Sequence, residues 1–525
     1  MKALGRAGTL FCAGALALTG CSPAAPSASP ATSEGAIEPS AQPRGELVVA
    51  VNTNPTTLDV TMSGDQPTAD MLASVYEGLT ARAPGTMQAE PHLAESFERV
   101  DDTTWEFNLR EGVTFHNGEA FDAESVKFTL DRTLDPDQAA PGRGQVAVIT
   151  EVQVVDSHTV RIITDGPVPT LPARLTHQAV QMLPKAYVEE MGDEHVASNP
   201  VGTGPYQFVE WVPDERLVLE AYDEYWGGPP SLARVTFLPT PEASTRVAAL
   251  QTGSAHLATN VPPDQAQALE DGGEIRIETV PSAFLIFFGF NELTPGPLQD
   301  VRVRRAINHA VDRNAIVDQI LQGYGRVAAG VLSEEVFSYD STLEPYEFDP
   351  DTARSLLAEA GFGDGFDLTI NAPSGRYLAD RDIAQAVQGY LGDVGINVEL
   401  GIHEFGTYAT NLRYGMDEPG AMYMLGWGGS GTFVPELHFI PTLTTGQGFS
   451  TIADAELDEL VATGGRTLDD AARSDFFQDA QRRAYEEAHR LFLHQQNYIY
   501  GVLPAVGGWE PRPDSLLLLH DVTVE

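Results

Sequence analysis

The feature that most constrains this chain is a change of period at its centre. Residues 284–290, FLIFFGF, form an unbroken apolar and aromatic run. It is short and β-rich enough to predict a strand buried on both faces. Pro295, Gly296 and Pro297 follow, a combination that neither a helix nor an inner strand tolerates. Beyond them Asp300 is placed to cap a helix with an apolar stripe at Val303, Ile307, Val311, Val317 and Leu321, flanked by Ala306 and Ala310. Arg302, Arg304 and Arg305 fall largely off that stripe. A buried strand that closes on Asn291 and hands over to a docked helix is expected where a chain crosses from one lobe to another. With 525 residues there is more chain than one core holds, so two or three domains are expected.

The amino end reads as an export signal. Lys2 and Arg6 precede the apolar stretch 7–18, which is too short to span a bilayer as a mature helix. It ends in Leu18, Thr19, Gly20 and Cys21, a tetrapeptide that resembles the bacterial lipoprotein signal, in which Cys21 is acylated after cleavage. Cys12 leaves with the signal, so the mature chain keeps one Cys and no disulfide framework is possible. Residues 22–45 are dominated by Pro, Ala and Ser and predict a tether reaching roughly 30 Å as a coil. No later stretch has the roughly 20 consecutive apolar residues of a transmembrane helix. The chain carries 31 Lys and Arg against 75 Asp and Glu, a net charge of −44, which excludes a nucleic-acid partner. The acids are spread along the sequence, as on a solvated, self-repelling surface.

Local patterns fill in the rest. ELVVAV, residues 46–51, reads as a buried strand, and a helix with Leu72, Val75, Tyr76 and Leu79 on one side follows. Trp105, Phe107 and Leu109 alternate with polar residues, Asn117-Gly118 signals a turn, and Asp122 caps a helix. Residues 152–155 and 159–163 predict a hairpin. Gly202 and Gly204 permit a tight backbone path, and no Lys-Ser or Lys-Thr pair follows to make a phosphate cradle. Asp349-Pro350 starts a helix ending at Gly361. Residues 366–370, a helix bearing Ile383, Val387 and Leu391, and residues 396–402 predict a strand-helix-strand crossover with a parallel pair. Residues 468–492 predict a long helix, and 497–505 a strand. His116 and His494 lack partners at metal-ligand spacing and are expected in turns or hydrogen-bonded at a strand entrance.

Several of these stretches carry a resemblance. FNELTPGPLQDVRVRRAINHAVDRNAIVDQILQGYG, LAESFERVDDTTWEFNLREGVTFHNGEAFDAESVKFTLDR, NPVGTGPYQFVEWVPDERLVLEAYDEYWGG and FDPDTARSLLAEAGF are similar to segments of the bacterial extracellular solute-binding proteins of the oligopeptide, dipeptide and nickel-binding type, family 5. The resemblance implies an α/β, two-lobed periplasmic-binding-protein-like fold of type II with an extra small domain, its mixed sheets joined by crossing strands. The implied division is a signal at 1–20, a tether at 21–45, and a first lobe from 46–82, 190–283 and 497–525. A small subdomain takes 83–189 and a second lobe 284–496. The implied role is that of a lipid-anchored, extracytoplasmic, monomeric binding protein. It captures a peptide or peptide-like solute and delivers it to the permease and ATPase of an ABC importer, with no cofactor, no resident metal and no catalytic residues. A non-peptide solute such as a sugar, an opine or a metal chelate is the alternative on the same fold, as is ligand sensing. A hydrolase is the rival from another class; the mature chain has no G-x-S-x-G, no H-E-x-x-H and no Cys nucleophile.

The expected ligand-binding residues are Thr56, Thr57, Phe288, Asn291, Arg376, Tyr377, Trp427, Ser430 and Glu436. Thr56 and Thr57 lie in the loop after the first strand. Arg376 and Tyr377 sit after a parallel strand, where loops face the ligand crevice of open α/β sheets, and a guanidinium there suits a carboxylate. Trp427 is flanked by glycines, which exposes its ring for stacking. Peptide-binding members of the family usually place an Asp three residues after this Trp to pair with the peptide amine. Here the position is Ser430, so the amine is held elsewhere, with Glu436 a candidate, or the ligand has none.

Overall fold

The computed structural model describes residues 43–413, 421–428 and 431–525. The signal, Cys21, all but the end of the tether, and Ser430 lie outside the described residues.

Two long antiparallel strands, Arg276–Phe290 and Arg490–Val502, run through the middle of an eleven-stranded sheet. On one side of them lie Met422–Trp427, Phe366–Ser374 and Ile396–Glu404. On the other lie Leu257–Ala258, Glu46–Val51, Arg234–Pro239, Arg216–Ala221 and Tyr206–Val212. Both halves mix parallel and antiparallel pairs. The aromatic run is the second half of its strand and is covered on both faces. Phe287 packs with Tyr408, Tyr423 and Leu425, while Ile286, Phe288 and Phe290 pack with Val303, Ile307 and Leu491. Period two explains the split, and each buried aromatic side chain contributes about 1.5–3 kcal/mol.

Between the halves the ladder of the two long strands slips, from Pro281 to Leu285. Side chains take over where the backbone pairing lapses. Ser282 Oγ donates to the Gln496 carbonyl at 2.6 Å and accepts from the Phe284 N–H at 3.1 Å. Gln495 Nε2 donates to the Ser282 carbonyl at 2.6 Å. Such a bulge bends a strand while leaving its polar groups satisfied.

Separate cores lie on either side. One gathers Leu47, Val49, Tyr206 and Phe237, another Val303, Ile307, Ile370 and Val387. A third, with Phe107, Phe115, Phe121 and Ile162, lies under a four-stranded antiparallel sheet built from Ala94–Arg99, Thr104–Leu109, Thr159–Thr164 and Ile149–Asp156. Three separate stretches of the chain meet at Glu77. Its buried carboxylate accepts from His92 Nε2 at 3.0 Å, Thr203 Oγ1 at 2.7 Å, Tyr225 Oη at 2.7 Å and Trp226 Nε1 at 2.9 Å. Burial pushes this carboxyl up, and the hydrogen bonds and the charge of His92 outweigh it and hold it below its usual value. A Cβ on Gly202 or Gly204 would collide with the carbonyls of Val75 and Ser74, so these glycines serve a close backbone approach.

Three elements differ from expectation. The helix at 66 stops at Leu72. The carbonyls of Ser74 and Val75 are taken by the N–H groups of Tyr206 and Gly204, which stops the helix from continuing. The stripe from Val303 to Leu321 is not one helix: Val301–Ala310 ends, Asp312 caps a new turn, and Ile316–Ile320 is π-helical. The helix expected to reach Phe492 ends at Glu486, and Phe492 belongs to the second crossing strand. Leu491, Phe492 and Leu493 are consecutive and all buried, a pattern in which helix and inner strand look alike. The strand-helix-strand crossover is present, with Asp380–Asp393 linking the parallel strands Phe366–Ser374 and Ile396–Glu404. His116 sits in a turn with Nε2 2.9 Å from the Gly204 carbonyl. His494, by contrast, is buried with neither ring nitrogen hydrogen-bonded, and burial pulls it down to about 3, so it is neutral.

Candidate functional site: a cleft between the two halves of the sheet

A narrow cavity opens where the crossing strands slip, with about 640 Å³ of space counted out to solvent. Phe284, Gln496, Tyr498 and Tyr500 form its floor. Val51, Asn52, Gln66, Asp70, Thr259 and Asn260 line the side of the amino-terminal strands, together with Ser515 and Leu517. Arg376 and Tyr377 close it from the other side. Aromatic rings flanked by a few convergent polar groups are the usual make-up of a small-molecule site.

Arg376 stands in the loop after the strand Phe366–Ser374. That loop is held chiefly by one side chain. The buried Asp380 carboxylate accepts from the N–H groups of Gly375, Arg376 and Tyr377 at 3.2, 2.9 and 3.1 Å. Leu378 N–H donates to Gln496 Oε1 at 3.1 Å and ties the loop to the crossing strand. The guanidinium lies 5.1 Å from the Phe405 ring centre, 5.4 Å from that of Tyr377 and 5.9 Å from that of Phe284. It makes no ion pair among the described residues. A cation held in place by neutral rings keeps its donors for a ligand.

Across the cavity lies Asp70, on the short helix Gln66–Leu72. Its Oδ1 accepts from Gln66 Nε2 and Ser515 Oγ, both at 2.8 Å. No Lys or Arg pairs with it among the described residues. Burial pushes its carboxyl up to about 8; the two hydrogen bonds pull down, and the charges of Asp514 and Asp65 add to the rise. Neighbouring Asp514 is neutralised, with Arg82 Nε at 2.9 Å and Arg512 at 2.8 Å. Nothing in the local sequence QPTADML distinguishes Asp70 from a solvated helix acid, because its surroundings come from the carboxyl end of the chain.

Of the residues expected in the site, the structure brings Arg376 and Tyr377 to the cavity wall. Ser430 lies outside the described residues, and the remaining six lie away from this cavity. In the loop after the first strand it is Val51 and Asn52 that line the cavity; Thr56 is exposed and Thr57 Oγ1 accepts from the Asp59 N–H at 3.1 Å. Phe288 is fully buried in the core of its lobe, and Asn291 holds the turn after the strand by accepting from the Leu293 N–H. Glu436 is buried, with Arg174 at 3.0 Å and Thr170 at 2.5 Å both on Oε1 and no partner on Oε2 among the described residues. Trp427 donates Nε1 to the Leu437 carbonyl at 2.9 Å and packs against Phe449. Alternation along its strand turns Gly426 and Gly428 toward Tyr377 and Phe284, and the Trp ring away from them.

Two half-sheets sharing crossing strands, with a cavity at the crossing, define a two-lobed binding protein of the periplasmic-binding type. The model of the bacterial extracellular solute-binding proteins, family 5, matches residues 88–450, more than half of the chain. The glutathione-binding protein GsiB of Pectobacterium atrosepticum is 30% identical over 486 residues, 91% of this chain and 93% of that protein. The protein of the same name from Escherichia coli is 30% identical over 492 residues, covering 91% and 94%. Among solved structures, DppA from Helicobacter pylori in complex with the peptide STSA has a TM-score of 0.81 at 26% identity, covering 92% of this chain and 99% of that one. AgaA from A. tumefacien R10 in complex with agropinic acid gives 0.80 at 25%, covering 92% and 99%. The chain belongs to the bacterial extracellular solute-binding proteins of family 5, the solute-binding components of ABC importers.

Proposed function

We propose that this protein captures a peptide or peptide-like solute bearing a free carboxylate and hands it, unchanged, to the permease and ATPase of an ABC importer. The observation that carries the reading is Arg376, a guanidinium in the cleft wall with no ion pair among the described residues, on a loop clamped by Asp380. Relatives named for glutathione binding and neighbours solved with a peptide or an organic acid support it. The slipped register at Pro281–Leu285 is the hinge about which a lobe of residues 46–82, 190–283 and 497–525 closes on one of residues 284–496, with 83–189 as a subdomain. Acylation of Cys21 tethers the monomer to the outer face of the membrane.

Calorimetric titration with reduced glutathione and with short peptides, each as free acid and as carboxyl amide, tests the ligand class. Free acids are expected to bind and amides to lose at least tenfold. Equal binding of both forms removes Arg376 from the reading. Recovery of unaltered ligand by mass spectrometry separates transport from hydrolysis. Incorporation of labelled palmitate, lost in Cys21→Ser, tests the anchor.

A further inference from the structure

The cleft carries a second recognition group that the sequence pattern of the family does not announce. The geometry points to Asp70 as the group that receives the ammonium of an amine-bearing solute, from the lobe opposite the one that supplies Arg376. This rests on the reading of the cleft as a solute site and names the other half of its chemistry.

Both donors that reach Asp70 fall on one oxygen, Oδ1, and both are neutral. Oδ2 has no partner among the described residues, and the side chain is half-buried at the cavity wall. Arg82, which feels the charge of Asp70, is spent on Asp514 and on the Gly431 carbonyl. Tyr498 lines the same cavity as Asp70 and Arg376 and feels the charge of both. A carboxylate on one wall and a guanidinium on the other match a zwitterion laid across the cleft, amine toward the first lobe and carboxylate toward the second. Such a ligand draws the lobes together, because neither end is satisfied until both walls are in reach.

Protonation supplies a signature that a packing role for Asp70 lacks. The charged and titratable groups facing it are Asp65 on the preceding turn, Arg82 and Asp514, and Tyr498 and Tyr500 of the crossing strand. Burial pushes up both tyrosines, and Asp514 is held low against burial by Arg82 and Arg512. Asp70, pushed up to about 8, is largely protonated in the empty cleft at neutral pH. An ammonium on Oδ2 lowers that value, so binding releases the carboxyl proton. At pH 7 the carboxyl gives up most of one proton per ligand, and affinity tightens by up to about tenfold per pH unit below pH 7, with a smaller gain as pH approaches 8.

The test presents the full-length protein with a library of di- to tetrapeptides and with the same library N-acetylated, retained species being counted by native mass spectrometry. Free-amine members are expected to dominate, and Asp70→Asn to abolish the preference while still retaining acetylated members. Calorimetry of one retained free-amine peptide in buffers of different ionisation enthalpy is expected to show proton release in the parent and none in Asp70→Asn. Equal retention of both libraries, or unchanged proton release in the variant, overturns the assignment of Asp70 and leaves the solute reading standing. Retention of neither library removes the solute reading and Asp70 with it.

Discussion

Glu77 and Asp70 stand seven positions apart, and both carboxyls are withdrawn from bulk water, yet they are treated in opposite ways. Four side-chain donors converge on Glu77 and hold it ionised. Asp70 receives two neutral donors on one oxygen and is pushed up to about 8 by burial. A buried carboxylate saturated by its own chain is a structural joint, here the meeting point of three stretches of the chain. One left incompletely satisfied beside a cavity is held ready for something that arrives later. Arg376 against the other arginines repeats the lesson: Arg82 and Arg174 are neutralised by Asp514 and Glu436, while Arg376 faces rings and open space.

The contrast breaks most directly at Glu77. Glu77→Ala strands four donors, His92 among them, and is expected to cost about 3–5 kcal/mol in urea unfolding. Asp70→Asn is expected to unfold no earlier than the parent at pH 8. If the two variants lose equal stability, the distinction between joint and binding group is gone. Next in size, Arg376→Ala is expected to weaken a free-acid peptide by about 2–4 kcal/mol while leaving the melting temperature within a degree or two of the parent.

The pH dependence of the empty protein sharpens the pair further. Asp70 is raised in the folded state, so its contribution is fully present below the ordinary carboxyl range and is lost as pH rises toward and through about 8. Glu77 is lowered, so its contribution is present above the ordinary range and is lost as pH falls. Stability of the parent is therefore expected to decline from pH 5 to 7 with a slope of up to about 1.4 kcal/mol per unit from this one group, and Asp70→Asn to flatten that decline. Smallest is Trp427→Phe. It removes the hydrogen bond to Leu437 and is expected to cost about 1 kcal/mol of stability with affinity nearly unchanged. A tenfold loss of affinity instead would place the ring in the binding surface.

The crossing strand, the handover at Asn291, the caps at Asp122, Asp300 and Asp349 and the parallel crossover were legible in the sequence, because each is written in neighbouring residues: a period, a cap, a turn pair. Arg376 was legible for the same reason, since a loop after a parallel strand has only one place to face. Where the chain alone is silent, the deciding partner is remote. Folding brings Arg174 to Glu436, and its strand's alternation sets the half-buried Trp427 against Phe449. Asp70 was silent because Ser515, which holds it, and Asp514, which raises it, come from more than 400 positions away. The sequence by itself determined most of the elements and the family. Only the tertiary structure decided which charges are satisfied and which remain open, since desolvation and pairing depend on what lies across the fold rather than along it.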